Sequence, residues 1–174
     1  MIAAAYLTSA INRLEEYKSL ADRTFAQLDE AAFHFQPNGE SNSIAQIIQH
    51  LHGNMQSRFT NFLTEDGEKP WRQRDKEFEV RQVNKQELLN LWEEGWKTVF
   101  EALQSLQPHQ LEQTITIRTQ PLTVIDAINR QLAHYSSHVG QIVYIGKMLK
   151  GAAWQPLSIA KGVSDAFNEQ LSRH

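Results

Sequence analysis

The stretch TVIDAINRQLAHYSSHVGQIVYIGKMLKG, residues 123–151, reads as one long amphipathic helix. Val124, Ile128, Tyr135, Val139, Ile142 and Leu149 fall along one face. Asp126 stands at the third helical position, where the helix dipole favours a negative charge, and Lys147, Lys150 and Gly151 make a conventional end. A single helix of this length, roughly 40 Å at 1.5 Å per residue, cannot bury its apolar stripe alone. It needs partners of similar length, and the rest of the chain supplies three.

The first runs from about Ile2 to Leu28, with Leu7, Ala10, Ile11, Leu14, Tyr17, Ala21, Phe25 and Leu28 at three- and four-residue steps. Asp29 then caps a short extra turn through Phe33, and Pro37-Asn38-Gly39 breaks the chain. The second starts at Ser43, where Ser43-Ile44-Ala45-Gln46 has the form of a capping box. It continues through Ile47, Ile48, Leu51, Met55, Phe59 and Phe62 to about residue 65, before Asp66-Gly67. The third begins at Asn84, with Glu87 three residues later, and carries Leu88, Trp92, Gly95, Trp96, Val99 and Leu103 to about Leu106, ahead of Pro108. The expected architecture is all-α: one four-helix-bundle domain over residues 1–174, with helices at about 2–28, 43–65, 84–106 and 123–150 and a tail at 151–174.

The connections differ in kind. Glu65 to Val83 is long and charged, which suits a crossover along the bundle rather than a tight hairpin. Gln113-Thr114-Ile115-Thr116-Ile117 alternates polar and apolar residues, so the stretch to Leu122 could close a small β-hairpin before the last long helix. The tail offers a short helix from Ser164 to Leu171.

Composition narrows the function. The 174 residues are 41% hydrophobic and 21% charged, with a net charge of −3, the profile of a soluble globular protein. No Lys/Arg-rich run offers the clustered basic face that nucleic acid requires. The apolar runs fall far short of a membrane span, and the N-terminus lacks the basic flank of a signal peptide, so a cytoplasmic protein is expected. There is no cysteine, which excludes a disulfide framework, a protein thiolate nucleophile and a Cys-bound metal.

His134 and His138, four residues apart, share one helical face one turn apart and can converge on a single ion. The plainer reading is two partly buried histidines bonded to backbone or to Gln131. The zincin pattern H-E-x-x-H is absent. A third ligand must come from elsewhere, and the second helix offers His50 and His52 on different faces. The helical wheel slightly favours burial of His52, beside Phe59 and Ala45. His50 lies in a polar strip with Ser43, Asn54, Ser57 and Asn61, and periodicity does not choose between them.

A resemblance does. Asn42-Ser43-Ile44-Ala45-Gln46-Ile47-Ile48-Gln49-His50-Leu51 resembles the helix-two signature of the DinB/YfiT-like superfamily, in which a histidine follows the S-[IV]-A start by seven residues. His134-x-x-x-His138-x-Gly140-Gln141-Ile142 resembles its helix-four signature, H-x-x-x-H-x-G-Q-[IL]. Residues 53–59, 66–72 and 74–79 are similar to a branch of that superfamily of unknown function. The resemblance implies that His50, His134 and His138 bind one divalent metal ion, zinc or nickel above all, in a bundle with a helix-two/three crossover that is often a homodimer. His52 then becomes a bystander.

Three neutral imidazoles leave coordination positions open, the pattern of a catalytic rather than a closed structural site. By analogy with the superfamily, the expected reaction transfers a low-molecular-weight thiol cosubstrate to an electrophilic small molecule. A metal-dependent hydrolase is the alternative, as is a non-catalytic bundle with a structural metal or a small-molecule-binding role. Substrate-binding candidates are Asn54, one turn after His50, Arg58 a further turn along, and Gln141, three residues after His138. Arg72 or Arg74 would join them if the crossover folds over the site; the plainer reading of each arginine is a surface ion pair with Asp75, Glu77 or Glu79. Trp71, Trp92 and Trp96 read as core or crossover-packing residues, and no general base stands out.

Overall fold

A computed structural model describes residues 2–171; Met1 and the end of the expected tail, 172–174, lie outside the described residues. The described residues are 67% helical, an all-α bundle with one small two-stranded sheet among them. Four long helices build it: α1 (Ile2–Phe25), α3 (Ile44–Phe59), α4 (Lys85–Ser105) and α5 (Val124–Lys150). The short α2 (Glu30–His34) and α6 (Ser164–Leu171) complete the helices. The closest pairings are α3 with α4 and α1 with α5.

Local chemistry sets the boundaries. Asp29 caps α2 by accepting from the Ala32 N–H. Ser43 and Gln46 close a reciprocal capping box at the start of α3, and Asn84 and Glu87 close another at α4. Thr123 caps α5 through the Asp126 N–H. Two expected ends fall short. α1 stops at Phe25, where the N–H groups of Gln27 and Leu28 tighten onto the carbonyls of Thr24 and Phe25. α3 stops at Phe59 rather than near residue 65, because Thr60 is extended and Asn61 adopts a positive φ of 50°. Phe62 keeps the apolar spacing beyond that break, buried against Phe59 with ring centroids 5.0 Å apart.

The core is continuous, and Trp92 and Trp96 lie wholly inside it, as core residues should. Trp71 does not pack as expected: it is 56% exposed on the crossover. The strands β1 (Thr114–Ile117) and β2 (Gln120–Thr123) pair antiparallel through a two-residue turn at Arg118 and Thr119. The crossover lays a 3₁₀ turn, Arg74–Phe78, directly on α3. That turn packs on His50 through Glu77 and Phe78, and of the polar strip that the helical wheel marks, Ser43, His50, Asn54 and Ser57 are buried while Asn61 is exposed. No described helix is long and apolar enough to cross a membrane.

Candidate metal centre

The fold brings His50 on α3 together with His134 and His138 on α5, their nearest ring nitrogens all within 4.8 Å of one another. His134 Nε2 lies 3.2 Å from His50 Nε2 and 3.1 Å from His138 Nε2. Tetrahedral nitrogen ligands at about 2.0–2.1 Å from zinc stand roughly 3.3 Å apart, so the spacing fits one ion. His50 is buried, while the other two are partly open.

The neighbours of the rings decide which nitrogen faces inward. His50 Nδ1 is 2.9 Å from Glu77 Oε2, a carboxylate that can only accept at neutral pH, so Nδ1 carries a hydrogen and Nε2 is the nitrogen turned towards the other rings. His138 Nδ1 stands 3.2 Å from Gln141 Oε1, which makes the same selection. A polarised imidazole with its free nitrogen aimed at a common point is the donor arrangement a metal requires. The Phe78 ring stacks on His50 at 4.7 Å and limits its rotation.

Glu77 is itself fixed. The Arg72 guanidinium grips it with Nε and Nη2 at 2.7 and 2.9 Å. Burial would raise the Glu77 pKa, but Arg72 and His50 outweigh it and hold the carboxyl below its usual range. Burial, then the proximity of His138, His50, Arg72 and Arg58, pushes His134 down to about 3. His138 is lowered by burial and by His50, with Gln141 opposing. These two rings are therefore neutral at physiological pH, as ligands must be.

Of the substrate-binding candidates, Asn54 accepts from the buried Tyr135 hydroxyl at 3.1 Å, and burial drives that phenol's pKa far upward. Arg58 is buried rather than on the surface, bonded to the Gly67 carbonyl and, at 2.9 Å, to Glu68. Gln141 serves His138. Arg72 does pair with Glu77, yet inside the protein, while Arg74 reaches Asp75 only at 3.9 Å. His52 points elsewhere, 3.3 Å from Glu94 on α4. Asn54 and Arg58 join the histidines in lining a cleft of about 360 Å³. Gln131, Arg118 and Arg130 also line it; the sequence pointed to Gln131 only as a bonding partner of the two histidines, and to neither arginine. Nor was Glu77 recognised as the partner of His50. Its only sequence signal was a charge in the segment able to fold over the site.

A family model described as "Protein of unknown function (DUF1572)" matches residues 1–163. No curated protein and no solved structure matches the chain.

Proposed function

The chain belongs to the DUF1572 family of proteins of unknown function, within the DinB/YfiT-like superfamily, and from that premise we propose that it is a metal-dependent enzyme of the thiol-transferase type. It would join a low-molecular-weight thiol to an electrophilic small molecule. One observation carries this reading: three imidazoles converge on the wall of an open cleft, and no fourth histidine or carboxylate joins the group among the described residues. A structural zinc site is closed by four protein ligands.

His50, His134 and His138 would hold the ion. A divalent ion in such surroundings supplies Lewis acidity, which favours the deprotonated form of a thiol or a water at neutral pH. The protein's part is positional. Glu77 and Arg72 fix His50, Gln141 fixes His138, and Asn54, tied to Tyr135, presents an amide to whatever enters the cleft. With no cysteine in the chain, the sulfur must come from a cosubstrate.

The test uses tag-free protein loaded with zinc or nickel, several small thiols, and a chlorinated aromatic acceptor. The thiolate sulfur forms the new carbon bond, chloride departs with the electron pair, and the thiol proton goes to solvent. Thiol-dependent chloride release, lost in His138→Ala, is the expected result. Metal-dependent hydrolysis without thiol would select the hydrolase. No turnover, together with a much lower melting temperature after chelation, would select a structural metal.

A further inference from the structure

The cleft over the three histidines is walled with arginine. Arg58, Arg72, Arg74, Arg118 and Arg130 all line it, and no described carboxylate does. Behind that wall, three of the guanidiniums share two carboxylates. Glu68 Oε2 accepts from Arg58 and Arg118, each at 2.9 Å, while Glu77 takes the fork of Arg72. Arg74 lies over the Phe78 ring at 5.3 Å and is otherwise weakly paired. Arg130, exposed on the rim, has no hydrogen bond or ion pair among the described residues. In a chain of net charge −3, this excess of positive charge is local to one concavity, where low-dielectric walls concentrate its field.

Two buried polar atoms in the same wall are left without partners. The Arg58 side chain is only 4% exposed, yet its Nε–H has no acceptor. Gln131 is 3% exposed, and its Oε1 has no donor. Buried donors and acceptors are rarely left idle, and an unsatisfied charged donor is the costliest case. Both are explained if a ligand completes them.

We propose that the cleft binds the oxyanion of a small-molecule substrate, a carboxylate or a phosphate, among Arg58, Arg74 and Arg130, while Gln131 takes a neighbouring N–H or O–H. This rests on reading the cleft as a substrate chamber, and it adds the charge class of what enters. A volume of about 360 Å³ suits a small molecule. Guanidinium forks match the planar oxygen pairs of carboxylates and phosphates.

Chelator-stripped full-length protein is titrated calorimetrically with inorganic phosphate, with succinate, and with the uncharged succinamide, at low and moderate salt. The expected result is oxyanion binding that weakens with salt and is absent for succinamide. Tighter binding of phosphate or of succinate identifies the oxyanion class. Arg130→Gln and Arg74→Gln, both exposed changes that spare the core, should each weaken it about tenfold. Arg81→Gln, at an exposed arginine bonded to the Lys76 carbonyl outside the cleft, should not. If neither anion binds, or if both cleft variants bind as tightly as the parent, the proposal is overturned. Metal content is measured on the same preparations before stripping. Anion binding by protein that never held metal overturns the metal reading alone, and metal without anion binding overturns this one alone.

Discussion

Gly53 on α3 leaves the space that the Glu77 carboxylate occupies. A Cβ there would stand 2.8 Å from Glu77 Cδ and closer still to Oε1. The carboxylate cannot swing aside freely, because Arg72 and His50 both hold it. The position behind His50 is thus built from a glycine, a glutamate and an arginine on two segments.

Gly53→Ala separates two effects. Alanine raises helix propensity by about 1 kcal/mol, so stability arguments alone expect a gain. Displacing Glu77 should instead weaken metal retention by roughly 10–100-fold, the usual cost of losing such an outer partner. Chelator competition measures it. Unchanged affinity would mean that Glu77 does not position His50.

The two buried tryptophans of α4 should respond differently to Phe. Trp92 Nε1 donates to Asp22 Oδ1 at 2.7 Å, whereas Trp96 Nε1 is buried without an acceptor. Both rings lose similar volume, but only Trp92→Phe breaks a bond to a charged acceptor. It should cost about 1.5 kcal/mol more than Trp96→Phe in urea unfolding. The reverse order would show that the indole bond contributes nothing net.

Asp66 makes the hairpin turn acid-sensitive. Arg118 and Thr119 hold φ values of 55° and 62°, a conformation costly for residues other than glycine. Asp66 compensates by accepting both their N–H groups, each at 2.8 Å, and that of Glu68 at 2.7 Å. Desolvation pulls its pKa upward, yet these bonds hold it at about 2, against 3.8 ordinarily. A depressed folded pKa means that the unfolded state binds the proton first. The stabilisation is therefore complete above about pH 4 and fades as pH falls towards 2. Amide exchange at Arg118 and Thr119 should quicken over that window, and Asp66→Asn should remove the pH dependence. An Asp66 carboxyl titrating at its ordinary value would contradict this.

Much of this molecule is legible in its residues where the governing physics is local. The capping pairs Ser43–Gln46 and Asn84–Glu87, the period of α5 and the one-turn spacing of His134 and His138 all act within a few residues of chain. The end of α3 is not legible in this way, because Phe62 preserves the apolar rhythm after Asn61 has broken the backbone. The choice of His50 over His52 is hidden for a related reason. Periodicity assumes one wet face, and α3 has almost none, with α4 on one side and the Arg74–Phe78 turn on the other. Glu77 enters the site only through the path of the crossover, which no local pattern encodes; Arg130 and Gln131 stand one turn before His134 on α5, but their spacing alone does not say that this face looks into a cleft.

We propose that His50, His134 and His138 jointly hold one divalent ion. Elemental analysis of tag-free protein, with His50→Ala and His138→Ala prepared alongside, tests it most directly. The expected result is about one metal per parent chain and little or none in either variant. Variants that keep the full metal content, or a parent that takes up none when zinc and nickel are supplied, would contradict it.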